Sequence, residues 1–229
     1  MPVLTFHGHS CFALEAADGT TLWIDPFLTG NPQADIGPDA VERADYVLFS
    51  HGHGDHIGDG FEIARRTGAT VVSTFEIVSF AQQIKGIENA HPLHIGGGYN
   101  FSFGRIKMTP ALHGGAVDAD ESGRFTTVPG GFLITLDGAG VYHAGDTALL
   151  TDMGLLKGQV DVACLPIGDN FTMGPDDAVR AVELIDPGVV IPMHYNTFDL
   201  IAQDPEAFAN QVGNRARVVI LNPGDSYDF

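Results

Sequence analysis

Six consecutive residues, His51-Gly52-His53-Gly54-Asp55-His56, carry three imidazoles and one carboxylate. These are ligand types of Zn²⁺, Mn²⁺ and Fe²⁺. Glycine at both spacers opens dihedrals closed to other residues, so a short loop can turn several side chains to one point. The bland alternative is a polar, glycine-rich turn after a strand. Four ligand-type side chains in six positions make a metal site the stronger reading. Further candidates stand at the exits of later apolar runs: His113 after 106–112, Asp146 after 141–144 and His194 after 189–193. Open sheets commonly bind ligands beyond the ends of their strands. A single histidine is more often structural, but together with the hexad these residues suffice for two metals.

Positioning such groups takes strands that end together. Short apolar runs at 3–6, 11–14 and 21–24, separated by turn formers such as Asp18-Gly19, predict early strands. Asp25-Pro26 ends the third, because proline offers no N–H to a ladder. The continuous apolar run 46–50 reads as a strand buried on both faces and leads directly into the hexad. Helix and strand then alternate: a helix over 59–67 stopped by Gly68, a strand over 69–73 and a helix over 75–84. Strands are expected at 99–103, 106–112, 131–136, 141–144, 160–167, 189–193 and, last, 218–221. Helices are expected at 175–185, with proline in the first turn, and at 205–212. His91 and His94, flanking Pro92-Leu93 before a glycine triplet, read as a surface turn. The pattern predicts an α/β (α+β) fold, two helix-faced sheets in one domain over 1–229.

Composition excludes several function classes. The chain has 229 residues, and its 29 acidic against 11 basic side chains give a net charge of −18. Such a surface repels nucleic-acid phosphates and anionic membranes, so neither is an expected partner. Cys11 and Cys164 are too few for a disulfide framework, which points to a reducing cytoplasm. No apolar run approaches the length of a membrane span, and the N-terminus has no signal-peptide pattern.

The HxHxDH hexad, a later histidine, an aspartate in a Gly-Asp pair and a final histidine resemble the metallo-β-lactamase-fold hydrolases along essentially the whole chain. Gly8-His9-Ser10-Cys11-Phe12, Trp23-Ile24-Asp25-Pro26-Phe27, Leu165 through Thr172 and Pro192 through Phe198 narrow the resemblance to a small prokaryotic branch of metal-dependent hydrolases related to the ascorbate-phosphate lactonases. The resemblance implies a four-layer αββα sandwich with its site at one edge. It implies that His51, His53 and His113 hold one divalent metal, that Asp55, His56 and His194 hold a second, and that Asp146 bridges both. It makes Asp25 the residue that orients a ligand histidine, and places His9 near the metals, to bind substrate or protonate a leaving group. Asp146 stands where the best-known true β-lactamases carry a cysteine ligand, so antibiotic hydrolysis is not expected.

The chemistry agrees. Two divalent cations (Zn, Mn or Fe) offset by two aspartates and a hydroxide leave an electrophilic centre, and a metal brings the pKa of bound water to about 7. The expected activity is attack of a metal-bridging hydroxide on a small-molecule lactone, ester or phosphoester. Asn170, Tyr195, Asn196 and Arg124 are candidate substrate contacts, as donors to an oxyanion or partners of a carboxylate or phosphate. The acidic stretch 118–121 is a solvated loop or, more sharply, a lid. Relatives of this fold often assemble, so a homo-oligomer is compatible. The rivals are a non-haem iron redox enzyme of the same fold and a metal-binding protein without turnover.

Overall fold

The computed structural model describes residues 1–229. Three short strands open the chain, β1 (Val3–Phe6), β2 (Phe12–Glu15) and β3 (Thr21–Ile24), each antiparallel to the one before. The sheet then grows in parallel through β4 (Tyr46–Leu48), β5 (Thr70–Thr74) and β6 (Ala90–Leu93). Both faces of its centre are buried: Leu22, Ile24, Leu48 and Val72 face the second sheet, and Trp23, Val47 and Val71 face helices. That is why 46–50 is apolar without alternation. Those helices are α2 (Gly60–Thr67) and α3 (Phe75–Gln83), which follow the one-turn α1 (Gly54–Ile57).

The second sheet runs through the antiparallel strands β7 (Gly98–Phe101), β8 (Gly104–Pro110), β9 (Gly130–Leu136) and β10 (Ala139–His143). It continues in parallel through β11 (Val162–Pro166), β12 (Val189–Met193) and β13 (Arg217–Val218). Helices α4 (Pro175–Ile185) and α5 (Pro205–Val212) cover it. The sequence explains both. In α4, Pro175 starts the helix, Asp176 and Asp177 meet its positive end, and Ala178, Ala181, Val182 and Ile185 form one buried stripe. In α5, the Asp204 carboxylate accepts the backbone N–H groups of Glu206 and Ala207. A last strand, β14 (Ser226–Asp228), returns to pair antiparallel with β1. Two helix-faced seven-stranded sheets thus form the expected αββα sandwich.

Three local expectations are corrected. Half of the hexad loop folds into α1, a turn too short to show a helical period. His91 lies in edge strand β6, not in a turn; Pro92 is tolerated there because an edge strand needs no second set of N–H donors. The strand expected at 218–221 shrinks to Arg217–Val218, and the terminal strand is β14.

Candidate metal centre

Strands β1, β3 and β4 exit the first sheet on one edge, and β8, β10 and β12 exit the second on the same edge. Each exit delivers one group: His9, Asp25, His51 with its hexad, His113, Asp146 and His194. The backbone ties the two rims together, because His194 N–H donates to the His9 carbonyl at 2.8 Å. Eight non-glycine residues have positive φ, and six lie along this rim: His9, Asp25, Asp169, Asn170, His194 and Asn196. Such conformations cost of order 1–3 kcal/mol each and cluster where function requires them.

The expected ligands converge. The ligand atoms of His51, His53 and His113 lie within 4.8 Å of one another. A second group, equally tight, is Asp55, His56 and His194 with His9 added; a third is His51, His56 and Asp146. Asp146 faces both sets, with Oδ1 3.2 Å from His56 Nε2, and Oδ2 3.0 Å from His194 Nε2 and 3.4 Å from His113 Nε2.

Proton positions follow from the hydrogen bonds. Asp25, fully buried, accepts Ser50 N–H (2.8 Å) on Oδ1, and Ser50 Oγ–H (2.6 Å) and His56 Nδ1–H (2.8 Å) on Oδ2. Ser50 Oγ, having donated, accepts from His51 Nδ1–H at 3.0 Å. Both histidines therefore keep Nε2 for the centre. Thr197 Oγ1 donates to Gln33 Oε1 (3.0 Å) and accepts from His9 Nδ1–H (2.9 Å), leaving His9 Nε2 facing Asp55 Oδ2 at 3.2 Å. Ser50 and Thr197 were not singled out in the sequence. Ser50 was findable as the polar residue that ends strand β4 at the hexad.

The donor set fits metal ions. His56 Nε2, His194 Nε2 and Asp146 Oδ1 are buried without a hydrogen-bond partner; they approach at ion-pair distance but are not aligned. Neutral His56 and His9 each turn a lone pair on a carboxylate, which is costly in a buried site unless a cation stands between. In the metal-free chain protons meet part of this need. Burial pulls His56 down, but Asp146 and Asp25 hold it well above the usual histidine value. Burial would raise Asp146, yet His194 and His56 keep it well below the carboxylate range. Burial also opposes ionisation of Asp55, which the His9 hydrogen bond and the His56 charge nonetheless hold low. His51 is pushed well down by burial and by His56, His113 is lowered by burial, and His9 falls to about 4 because burial outweighs its Asp55 contact.

A cavity of about 360 Å³ opens on the centre. Five ligand-type residues line it, His53, Asp55, His113, Asp146 and His194, together with Asp118, Phe171 and Phe198. The four expected substrate contacts do not. Asn170 is exposed on a positive-φ turn, and Asn196, on another, accepts Gln203 N–H at 2.7 Å. Tyr195 packs into the core, and Arg124 turns to Ser122 Oγ (3.1 Å) and the Phe125 ring. Their places are taken by the neighbours Phe171 and Phe198. Asp118, from the acidic stretch, accepts Gly54 N–H at 2.9 Å and stands at the mouth. His7 pairs with Asp35 (2.8 Å) and stacks on Trp23, and His143 donates to the Ser10 carbonyl (3.0 Å); both are structural. Another cavity, about 300 Å³, lies against apolar side chains including Tyr142, Met153 and Leu156, and holds no histidine.

Comparison with known proteins agrees with this geometry. Residues 3–194 match the family described as a Beta-lactamase superfamily domain. A UPF0173 metal-dependent hydrolase of Shouchella clausii is 49% identical over 213 residues, covering 91% of this chain and 92% of that protein. One from Bacillus cereus strain G9842 is 48% identical over 227 residues, covering 97% and 98%. Among solved structures, Igni18, described as a novel metallo hydrolase from Ignicoccus hospitalis, superimposes with a TM-score of 0.88 at 38% identity, covering 100% of this chain and 99% of that one. A rim of converging histidines and aspartates on an αββα sandwich, and matches of this extent, have one common reading: the chain belongs to the UPF0173 metal-dependent hydrolases of the β-lactamase superfamily.

Proposed function

We propose that the protein is a dinuclear hydrolase of a small-molecule lactone, ester or phosphoester. The observation that carries this is Asp146, whose carboxylate lies within 3.4 Å of histidines from both sets, His113 of the first and His56 and His194 of the second. His51, His53 and His113 would hold one ion, Asp55, His56 and His194 the other, and Asp146 would span both. Zn, Mn and Fe all suit these ligands. When bound, divalent ions polarise a carbonyl or phosphoryl oxygen and bring the pKa of water to about 7.

The remaining work belongs to the chain. Asp25 and Ser50 fix the ring orientations of His56 and His51, so both present Nε2. His9, locked at Nδ1 by Thr197, keeps the Nε2 lone pair beside Asp55, as a fourth ligand atom or as a base that takes up a proton and relays it to a leaving group. No Ser or Cys nucleophile lines the cavity, and burial pushes both thiols up and keeps them protonated. The net charge supports small-molecule rather than nucleic-acid substrates, and two free thiols support a cytoplasmic setting.

The test is metal content per chain by elemental mass spectrometry, before and after reconstitution, on wild type and Asp146→Asn. Two equivalents in the wild type, with loss of at least one and a rate lower by orders of magnitude in the variant, are expected. One equivalent in the wild type, or an unchanged variant, overturns the dinuclear assignment.

A further inference from the structure

The cavity mouth carries information on substrate class that the metal ligands do not. Phe171 is 52% exposed and Phe198 42% exposed, and both line the cavity beside His113, His194 and Asp146. Scattered surface phenylalanines need no explanation, but two converging on one catalytic mouth do. Neither is held out by a polar partner, and only Phe198 touches an aromatic neighbour of the centre, edge-on to His9 at 5.8 Å between centroids. Charge gives the second observation. No lysine or arginine lines the cavity, whereas Asp118 adds a carboxylate at its rim. Arg124, six residues beyond Asp118, is turned to Ser122 and Phe125. Along the chain, Asp199 directly follows Phe198, and Asp169 stands two residues before Phe171.

A phosphoester or carboxylate substrate presents oxygens that proteins usually meet with a guanidinium or ammonium. Nothing of that kind stands here. From the hydrolase reading above, on which this step rests, we infer that the substrate is an uncharged carboxylic ester or lactone. Its aryl or short alkyl group lies between Phe171 and Phe198, and Asp118 turns anionic substrates away. Hydrolysis forms one acyl C–O bond to the water oxygen and breaks the acyl C–O bond to the alcohol. The alcohol oxygen takes one proton of the water, and the acid product releases the other to solvent. Phe171 and Phe198 are thus specificity determinants, and Asp118 is an electrostatic filter.

The experiment uses metal-loaded enzyme and two probes that release the same phenol, 4-nitrophenyl phenylacetate and the anionic 4-nitrophenyl hemisuccinate. The phenylacetate should be favoured in kcat/KM by at least about tenfold, a difference of about 1.4 kcal/mol. Phe171→Ala and Phe198→Ala should each raise its KM several-fold, with metal content unchanged. Asp118→Asn should narrow the gap between the probes. Equal or better turnover of the hemisuccinate, or a KM indifferent to both phenylalanines, overturns the proposal. A binding arm separates it from the hydrolase reading: saturation-transfer NMR with the inert amides phenylacetamide and succinamate. Phenylacetamide binding that disappears in the Phe171→Ala/Phe198→Ala double variant, without turnover of either ester, upholds the mouth and rejects ester hydrolysis. Absent phenylacetamide binding, or equal binding of succinamate, rejects the mouth itself.

Discussion

The residue that does most without lining the cavity is Asp25. It receives three donors, one of them the Nδ1–H of His56, and so determines which nitrogen His56 turns inward. Asp25→Asn puts an amide N–H₂ among donors and frees the ring. Partners of ligand histidines are typically worth about 10–100-fold in metal affinity or activity. A chelator-competition titration of the variant should show a loss of that size; wild-type affinity would mean that His56 is oriented by packing alone. The converging histidines and aspartates were legible in the sequence because imidazole and carboxylate carry their chemistry in the side chain. The mouth was not. Asn170 and Asn196 look like substrate donors, but both occupy positive-φ turns, where asparagine is favoured for its backbone tolerance. They serve the turns, Asn196 also by accepting Gln203 N–H, and the neighbouring phenylalanines reach the site.

Gly52 shows how elements hold the hexad. Asp118 N–H donates to its carbonyl at 2.9 Å, and a Cβ there would run into the Ala116 carbonyl oxygen and the Val117 side chain. An unobstructed Gly→Ala change stabilises a protein by restricting the unfolded chain. Here the contact is with backbone, so the sign reverses. Gly52→Ala should cost about 1–3 kcal/mol, lower the melting temperature by about 2–4 °C per kcal/mol and weaken metal binding as the 116–118 segment moves away. A calorimetric scan with metal analysis decides it, and a variant as stable as wild type would show that the segment yields freely. Elements with a strong local signature were readable to the residue: α4 from the proline in its first turn, β3 from an apolar run closed by Asp25-Pro26, and β12 from its continuous apolar run. Strand β14 was not, because it exists only through pairing with β1 at the far end of the chain.

At the scale of the whole molecule, the buried histidines make the metal-free protein sensitive to acid. His9, His51, His113 and His143 all lie below the usual value of about 6.5 through burial. As pH falls from about 6.5 to about 4, the unfolded chain takes up protons that these folded groups refuse, so stability falls. His56 has the opposite sign: its contribution is complete below 6.5 and is lost only as pH rises through its elevated value. Asp55 and Asp146, held low, keep theirs until pH drops below the ordinary carboxylate value of about 4. Chelated protein, in salt sufficient to screen its surface charge, should therefore melt lower at pH 5 than at pH 7, by circular dichroism. An equal or higher midpoint at pH 5 would contradict this.

Two helix-faced sheets were expected from the order of elements, and their αββα stacking from the family resemblance, yet which exits meet could be seen only in three dimensions. His51, His53, Asp55 and His56 leave the first sheet, and His113, Asp146 and His194 leave the second. The centre is a keystone owned by neither half. Any breathing that parts the two rims is also movement along a path by which bound metal would escape. Tightness for metal and resistance of the sandwich to opening are then one quantity, felt from two sides.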